Sequence, residues 1–261
     1  MYDRKEFTKR MMYVITSVQN NRVKNWQKLK KRKERVKTNT FIVEGYHMVE
    51  EASKSDWHVK EFILADGAVI PDWLENQEAI IVTDHILKSI TDTKTPQGIA
   101  AVVEVKQPEE QKFEKLLLID NVQDPGNLGT MVRTADAAGF DGIYVGAGSA
   151  DIFNDKVLRS TQGSIFHLPI FQTDLLPIID QLQEDDFTVW GAALENARPY
   201  MALPIPEKAA LVVGNEGSGI SSSILEKVNE IVSIPIFGKA ESLNVSVAAG
   251  ILLYHLASVE K

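Results

Sequence analysis

The chain contains no cysteine, which removes disulfides, thiolate nucleophiles and thiolate-ligated zinc or iron–sulfur sites. It also lacks long hydrophobic runs. No apolar stretch approaches the roughly 20 residues that cross a bilayer. Arg4, Lys5, Lys9 and Arg10 are followed only by the short stretch from Met11 to Ile15, too little for a signal-peptide core. The five histidines show no metal-ligand spacing, so no metal is expected. Neither glycine-rich loop runs into Lys-Ser/Thr, which excludes a Walker A loop, and neither has the dinucleotide spacing an oxidoreductase would use. With 44% hydrophobic and 25% charged residues over 261 positions, what remains is an ordinary globular protein of one large or two modest domains, expected in the cytoplasm.

Charge is distributed unevenly. Net charge is −8, from 28 basic and 36 acidic residues. Residues 1–40 hold 13 basic and 3 acidic residues, leaving 15 basic and 33 acidic over the rest. An acidic body with a basic arm is a pattern of polyanion binders, although a basic run is also what any solvated helix face looks like.

Residues 1–12 read as a flexible extension. The spacing of Val23, Trp26 and Leu29 or Lys30 predicts a helix over 21–35 that carries Lys24, Lys28, Lys31, Arg32, Lys33 and Arg35. Short strands are predicted at 41–43, 59–64, 79–82 and 99–105, with helices at 46–52 and 84–90, a small αβ domain over 13–106. The stretch 107–114 reads as a linker, being rich in Pro, Glu and Gln. Beyond it, apolar strands at 116–119, 143–145, 167–171, 188–193, 211–213 and 231–236 alternate with helices at 126–138, 155–160, 175–182, 221–227 and 245–256. That alternation predicts a parallel sheet covered by helices, a second domain over 115–261.

Three polar loops follow strands of that sheet, where open α/β sheets bind ligands. The first, Asp120 to Gly129, leads into a helix bearing Asn127 and Arg133. Its amide groups at the helix start favour an anion or a polar edge. The second, Gly214 to Gly219, has Glu216 at its centre, and the third is Ser242-Leu243-Asn244. Taken singly, each is a tight strand-to-helix turn. Asn127 then reads as a neighbour of a helix N-cap, Asn244 as a helix cap, Arg133 as a partner of Asp136 or Asp124, Glu216 as a solvated acid, and His167 as a satisfied sheet residue.

Together the loops resemble something specific. Asn121-x-x-Asp124-Pro125-x-Asn127-x-Gly129 with Arg133, Gly214-Asn215-Glu216-Gly217 with Gly219, and Ile234-Pro235 with Ser242-Leu243-Asn244-Val245-Ser246 are similar to the three motifs of the SpoU (TrmH) family of RNA ribose 2′-O-methyltransferases. Lys28-Leu29, Arg32-Lys33 and Phe41-x-Val43-Glu44-Gly45 resemble the substrate-binding domain found in many members. The resemblance implies an α/β fold of the SPOUT type, a parallel sheet flanked by helices with a deep trefoil knot, which patterning alone does not reach. It implies S-adenosylmethionine held at Gly214, Ile234 and Leu243, a homodimer with a composite site, and RNA as partner. Arg133, Asn127, Glu216, Ser242 and Asn244 fall at the catalytic positions.

In the family the arginine is often cast as the base. Deprotonating a guanidinium at neutral pH costs roughly 7 kcal/mol, so a charged anchor for the target phosphate is the cheaper role. The chain lacks the terminal arginine of some members, ending Tyr254-His255-Leu256-Ala257-Ser258-Val259-Glu260-Lys261. The expected activity is 2′-O-methylation of 23S ribosomal RNA. A transfer-RNA substrate, or a non-catalytic RNA-binding protein on the same fold, are the alternatives.

Overall fold

The computed structural model describes residues 14–93, 95–109 and 111–258. The extension expected over residues 1–12 lies outside them. In chain order the first half runs β1 (Val14–Ile15), α1 (Asn21–Lys28), α2 (Arg32–Thr38), β2 (Thr40–Glu44), α3 (Tyr46–Lys54), β3 (Val59–Ala65), β4 (Ala79–Val82), α4 (Asp84–Ile90) and β5 (Ile99–Glu104). The second runs β6 (Lys115–Ile119), α5 (Pro125–Ala137), β7 (Gly142–Val145), α6 (Asp155–Thr161), β8 (Ile170–Gln172), α7 (Leu175–Glu184), β9 (Thr188–Ala192), β10 (Arg198–Pro199), β11 (Ala209–Val213), α8 (Ser222–Leu225), β12 (Glu230–Ser233) and α9 (Val245–Ala257). These elements form two compact units: the chain up to Gln107 with Phe153–Phe166, and Pro108–Ile152 with His167 onward.

The first unit is a mixed sheet in the order β1-β4-β3-β5-β2. β4 is parallel to β1 and β3, and β5 is antiparallel to β2 and β3. Val23, Trp26 and Leu29 pack with Ile63, Val82, Ile86, Leu87, Ile90 and Val102 in its core. Trp26 also donates its indole N–H to Glu61 at 2.6 Å, satisfying the polar edge of a buried ring. Phe153 and Phe166 join this unit through aromatic contacts. The Phe153 ring lies 4.6 Å from that of Phe41, and the Phe166 ring 5.5 Å from that of Trp57.

The helix expected over 21–35 is interrupted. α1 ends at Lys28, and bonds from Leu29 to Trp26 and from Lys31 to Lys28 tighten its last turn. Lys31 is extended before α2 begins. The break turns Leu29 into the core, and the exposed carbonyls it creates are met by Arg35. Arg35 is buried, and one of its terminal nitrogens donates to Leu29 O at 2.7 Å and to Lys30 O at 2.9 Å. Of the basic residues expected to face RNA, Lys24, Lys28, Lys31, Arg32 and Lys33 are exposed, whereas Arg35 is turned inward.

The second unit is a seven-stranded sheet in the order β10-β12-β9-β11-β6-β7-β8, parallel throughout. β6 and β11 lie at its centre. Leu116 to Ile119 and Ala209 to Val213 are all buried, as strands covered on both faces require. The chain moves outward from β6 through β7 to β8, then returns to β9, and β11 fills the gap between β9 and β6. This reversal makes the strand ends at β6, β11 and β9 the natural ligand crevice. Two expected strands are shorter than their apolar runs. The 231–236 run stops pairing at Ser233, before Pro235, which has no N–H to donate. The 167–171 run pairs only from Ile170, and His167 instead meets Asp136 at 2.8 Å. Among the described residues no helix is long and apolar enough to cross a membrane, and no group of three acidic or histidine side chains is placed to hold a metal.

The role of Arg35 gives a direct expectation. Arg35→Ala strips two charge-assisted bonds from the turn at 29–31 and should cost about 2 kcal/mol in urea unfolding. Lys33→Ala, at an exposed neighbour, should cost almost nothing. Equal losses in the two variants would refute the capping role.

Candidate active site

The second loop begins where β11 ends, and its first residue has no freedom of identity. A Cβ on Gly214 would lie 2.2 Å from the backbone carbon of Gly219 and the nitrogen of Ile220. No side chain fits there, so the chain crosses itself at bare backbone. The loop is then closed by paired backbone bonds, Asn215 N to Gly219 O at 2.9 Å and the reverse at 3.0 Å. The Asn215 side chain accepts from the N–H groups of Gly217 and Ser218, and donates to Asn121 O at 2.9 Å. Nearby, Asp120 accepts the Ser221 N–H at 2.7 Å. The first and second loops are therefore fastened at two points.

Glu216 fastens them at a third. Its carboxylate accepts the N–H groups of Gln123 at 3.2 Å and Asp124 at 3.0 Å, and the Asn127 side-chain amide at 3.1 Å. The carbonyl oxygen of the Asn127 side chain accepts from the Asn244 amide at 3.1 Å. Asn244 in turn caps α9, accepting from Ser246 N at 2.9 Å, and Asp124 caps α5, accepting from Asn127 N at 2.9 Å. One polar chain thus links all three loops and two helix starts. Burial works to raise the Glu216 carboxyl, but the bonds from Asn127, Asp124 and Gln123 outweigh it and hold the group below the ordinary glutamate value.

Beside this chain lies a cavity of about 460 Å³. Its polar side includes Gly214, Glu216 and Ser242, and its apolar lining includes Ile234, Leu243 and Leu252. The volume falls within the range of small-molecule sites. Bare loop backbone and an aliphatic lining suit a ligand with a polar edge and a flat apolar body. Gly214, Glu216, Ile234, Ser242 and Leu243 thus share one cavity, and Asn127 and Asn244 join it through Glu216. Arg133 is not among the lining residues. It stands exposed on α5, while Asp136, one of the partners considered for it, is engaged with His167. The residues at 192–195, at the end of β9 and just beyond it, also line the cavity. The strand before them was legible as a strand, but its place beside β11 is a fact of sheet order that local pattern does not carry.

The carboxylate bridge makes a pH prediction. A carboxyl depressed in the fold adds stability when pH is above its unfolded value, and that stability is lost as pH falls through the folded value. Glu216→Gln also turns an amide donor toward amide donors. The variant should melt lower than wild type at pH 7, and the gap should narrow as acid crosses the glutamate range. A gap that stays constant down to pH 3 would contradict the bridge.

Comparison with known proteins agrees with this geometry. Residues 114–254 match the SpoU rRNA Methylase family, and residues 20–101 match the MRM3-like substrate binding domain. The chain is 49% identical over 246 residues to the 23S rRNA (guanosine(2553)-2′-O)-methyltransferase RlmP of Bacillus subtilis (strain 168), covering 94% of this chain and 99% of the relative. Among solved structures it is similar to an AdoMet-bound rRNA methyltransferase from Sinorhizobium meliloti, with TM-score 0.81, 28% identity and coverage of 94% and 97%. It is also similar to the SpoU methyltransferase AviRb from Streptomyces viridochromogenes in complex with AdoMet, with TM-score 0.83, 26% identity and coverage of 91% and 97%. A parallel sheet whose three strand-end loops are tied together beside one cavity, and a family match over more than half its length, make this chain a member of the SpoU rRNA methylase family.

Proposed function

We propose that the protein methylates a ribose 2′-hydroxyl of 23S ribosomal RNA, using S-adenosylmethionine, in the cytoplasm. The observation that carries the reading is the Glu216–Asn127–Asn244 chain, which holds three separate loops against one cavity. Within the reading, residues 13–106 bind RNA, 107–114 link, and 115–261, apart from the Phe153–Phe166 segment that packs with the first unit, form the methyltransferase domain with its knotted loops.

Gly214, Ile234 and Leu243 would hold the cofactor, the glycine by close backbone approach and the two aliphatic side chains against a flat ring. When bound, S-adenosylmethionine supplies the methyl group from a sulfonium. The residues of this chain contribute position more than proton chemistry. Transfer needs the hydroxyl held about 3 Å from the methyl carbon and in line with it, a constraint worth several kcal/mol of barrier. Asn127 and Asn244 have their amides locked by neighbours, so they present fixed polar edges rather than rotating ones. Ser242 lines the cavity and offers a hydroxyl to the same region. Arg133 anchors a phosphate through charge-assisted bonds.

The exposed position of Arg133 fits a composite site in a homodimer, with the guanidinium brought by a second copy. Val247 and Tyr254, seven residues apart on α9, are both about half exposed, at 51% and 55%, and so present one apolar stripe. Lys24, Lys28, Lys31, Arg32 and Lys33 supply phosphate contacts, which give affinity more than sequence choice. Arg35 belongs to the same basic run, but its contribution is to hold the turn that presents the others.

The reading is tested by incubating 23S rRNA with the protein and S-adenosylmethionine and mapping 2′-O-methyl marks. No mark at any position, together with no heat of cofactor binding in calorimetry, ends it. The composite site has its own test. Arg133→Ala and Glu216→Ala protomers are each expected to be nearly inactive. Mixed and reassorted, they should recover about a quarter of wild-type activity, since about half the dimers are mixed and each of those has one intact site. Mixed dimers that form yet stay inactive would place both residues in a site within one chain.

A further inference from the structure

Phe237 is 92% exposed, more than any other large hydrophobic residue among the described residues. A phenylalanine so placed leaves its apolar ring in water and contributes nothing to the core. Its position is specific. Ile236 on one side and Ser242 and Leu243 on the other all line the cavity, so residue 237 stands on the loop that rims the opening. Leu194, another lining residue, is 60% exposed at the same opening. Gly238 follows with nothing within 4 Å of where a Cβ would be, so the loop is open to an approaching surface. Lys239 and Glu241 share the loop and are both exposed, which leaves it without net charge.

We propose that Phe237 stacks on an unstacked nucleobase of the substrate RNA at the mouth of the cavity, and so holds the neighbouring ribose at the methyl donor. The proposal rests on the methyltransferase reading above. A flat aromatic face suits a nucleobase because every base offers a π-face, and stacking of this kind tolerates sequence. A neutral loop makes the contact one of stacking rather than charge. The occupant must also reach a cavity that delivers a methyl group to a ribose, and a base attached to that ribose, or to the next one, arrives with it.

The test is Phe237→Ala against Phe237→Trp in the full-length protein, with a 23S rRNA transcript as probe. Alanine should raise KM for RNA and weaken rRNA binding by roughly tenfold, with kcat changed by less than about twofold. Tryptophan should behave as wild type. The salt dependence of binding should keep its slope, because no phosphate contact is lost. S-adenosylmethionine affinity and dimer dissociation should be unchanged. Alanine matching wild type in both KM and rRNA binding overturns the proposal. So does a parallel loss of cofactor affinity, which would make the ring a cover for the cofactor, or a loss of dimer, which would make it a contact between copies. Wild-type protein that binds rRNA without methylating it would sink the reaction reading alone, and the variant's rRNA affinity would still score the ring.

Discussion

The carboxylate of Glu216 is the point at which the second unit becomes a site. Strand-end loops are ordinarily the least ordered parts of an α/β sheet. Here one carboxylate accepts from two backbone amides and one side-chain amide, all belonging to the loop after β6 or the helix it opens. The bonds are charge-assisted, roughly twice as strong as neutral ones, and none survives protonation of the acceptor intact. Asn127 then passes the constraint on to Asn244 and thus to the start of α9. Removing any member would leave amides facing nothing, so the chain acts as a unit rather than as separate contacts.

The sheet explains why so small a link suffices. β6 and β11 are adjacent, and Leu116–Ile119 and all of β11 are buried, so their ends are fixed relative to one another before any loop bond forms. Asp120 and Asn215 fasten the loop bases close to those ends, at Ser221 and Asn121. Only the loop tips remain to be placed. Gly214 contributes by absence: the crossing at Gly219 and Ile220 is tight enough that a single methyl group would collide with main chain. α9 closes the arrangement by lying near α5, where Gly250 would place a Cβ 3.5 Å from the Thr134 methyl.

Much of this was legible residue by residue and little of it pair by pair. The parallel sheet followed from alternating apolar runs, because strands covered on both faces are written as continuous Leu, Ile and Val. Asn127, Glu216 and Asn244 stood out through their motifs, yet as single residues each also read as a cap or a solvated acid. Asn244 does cap a helix, and Asn127 does neighbour a cap, Asp124, to which it donates its N–H, so that plainer reading was also sound; what sequence lacked was the partner each side chain reaches next. Strand order was out of reach for the same reason: β11 inserts between β6 and β9 by tertiary contact, not local pattern. Arg35 shows the opposite failure. The basic run includes it beside Lys31 and Arg32 as one more residue for RNA, but the helix breaks at Leu29, and the break needs a cation to cover its carbonyls. Phe153 and Phe166 likewise pack with Phe41 and Trp57, roughly a hundred residues before them in the chain.

Charge outside residues 1–40 is strongly negative, with 33 acidic against 15 basic residues, an odd endowment for a protein that handles a polyanion. Within the second unit several cations are already engaged. Arg198 meets Glu230, Lys227 meets Asp180, and Lys208 donates to Asp185 O while lying over the Phe187 ring. Such a surface repels phosphate over a Debye length of about 10 Å. In the proposed reading, affinity would then come from the basic run near the N-terminus, and the acidic unit would supply discrimination by tolerating RNA only where something other than charge offsets the repulsion. In the proposed reading, an exposed aromatic ring on a neutral loop would be a contact of that kind. The division is physically economical. Attraction that is strong, long-ranged and blind to sequence is kept apart from contacts that are weak, short-ranged and demanding in geometry, so binding RNA tightly does not by itself place a ribose for reaction.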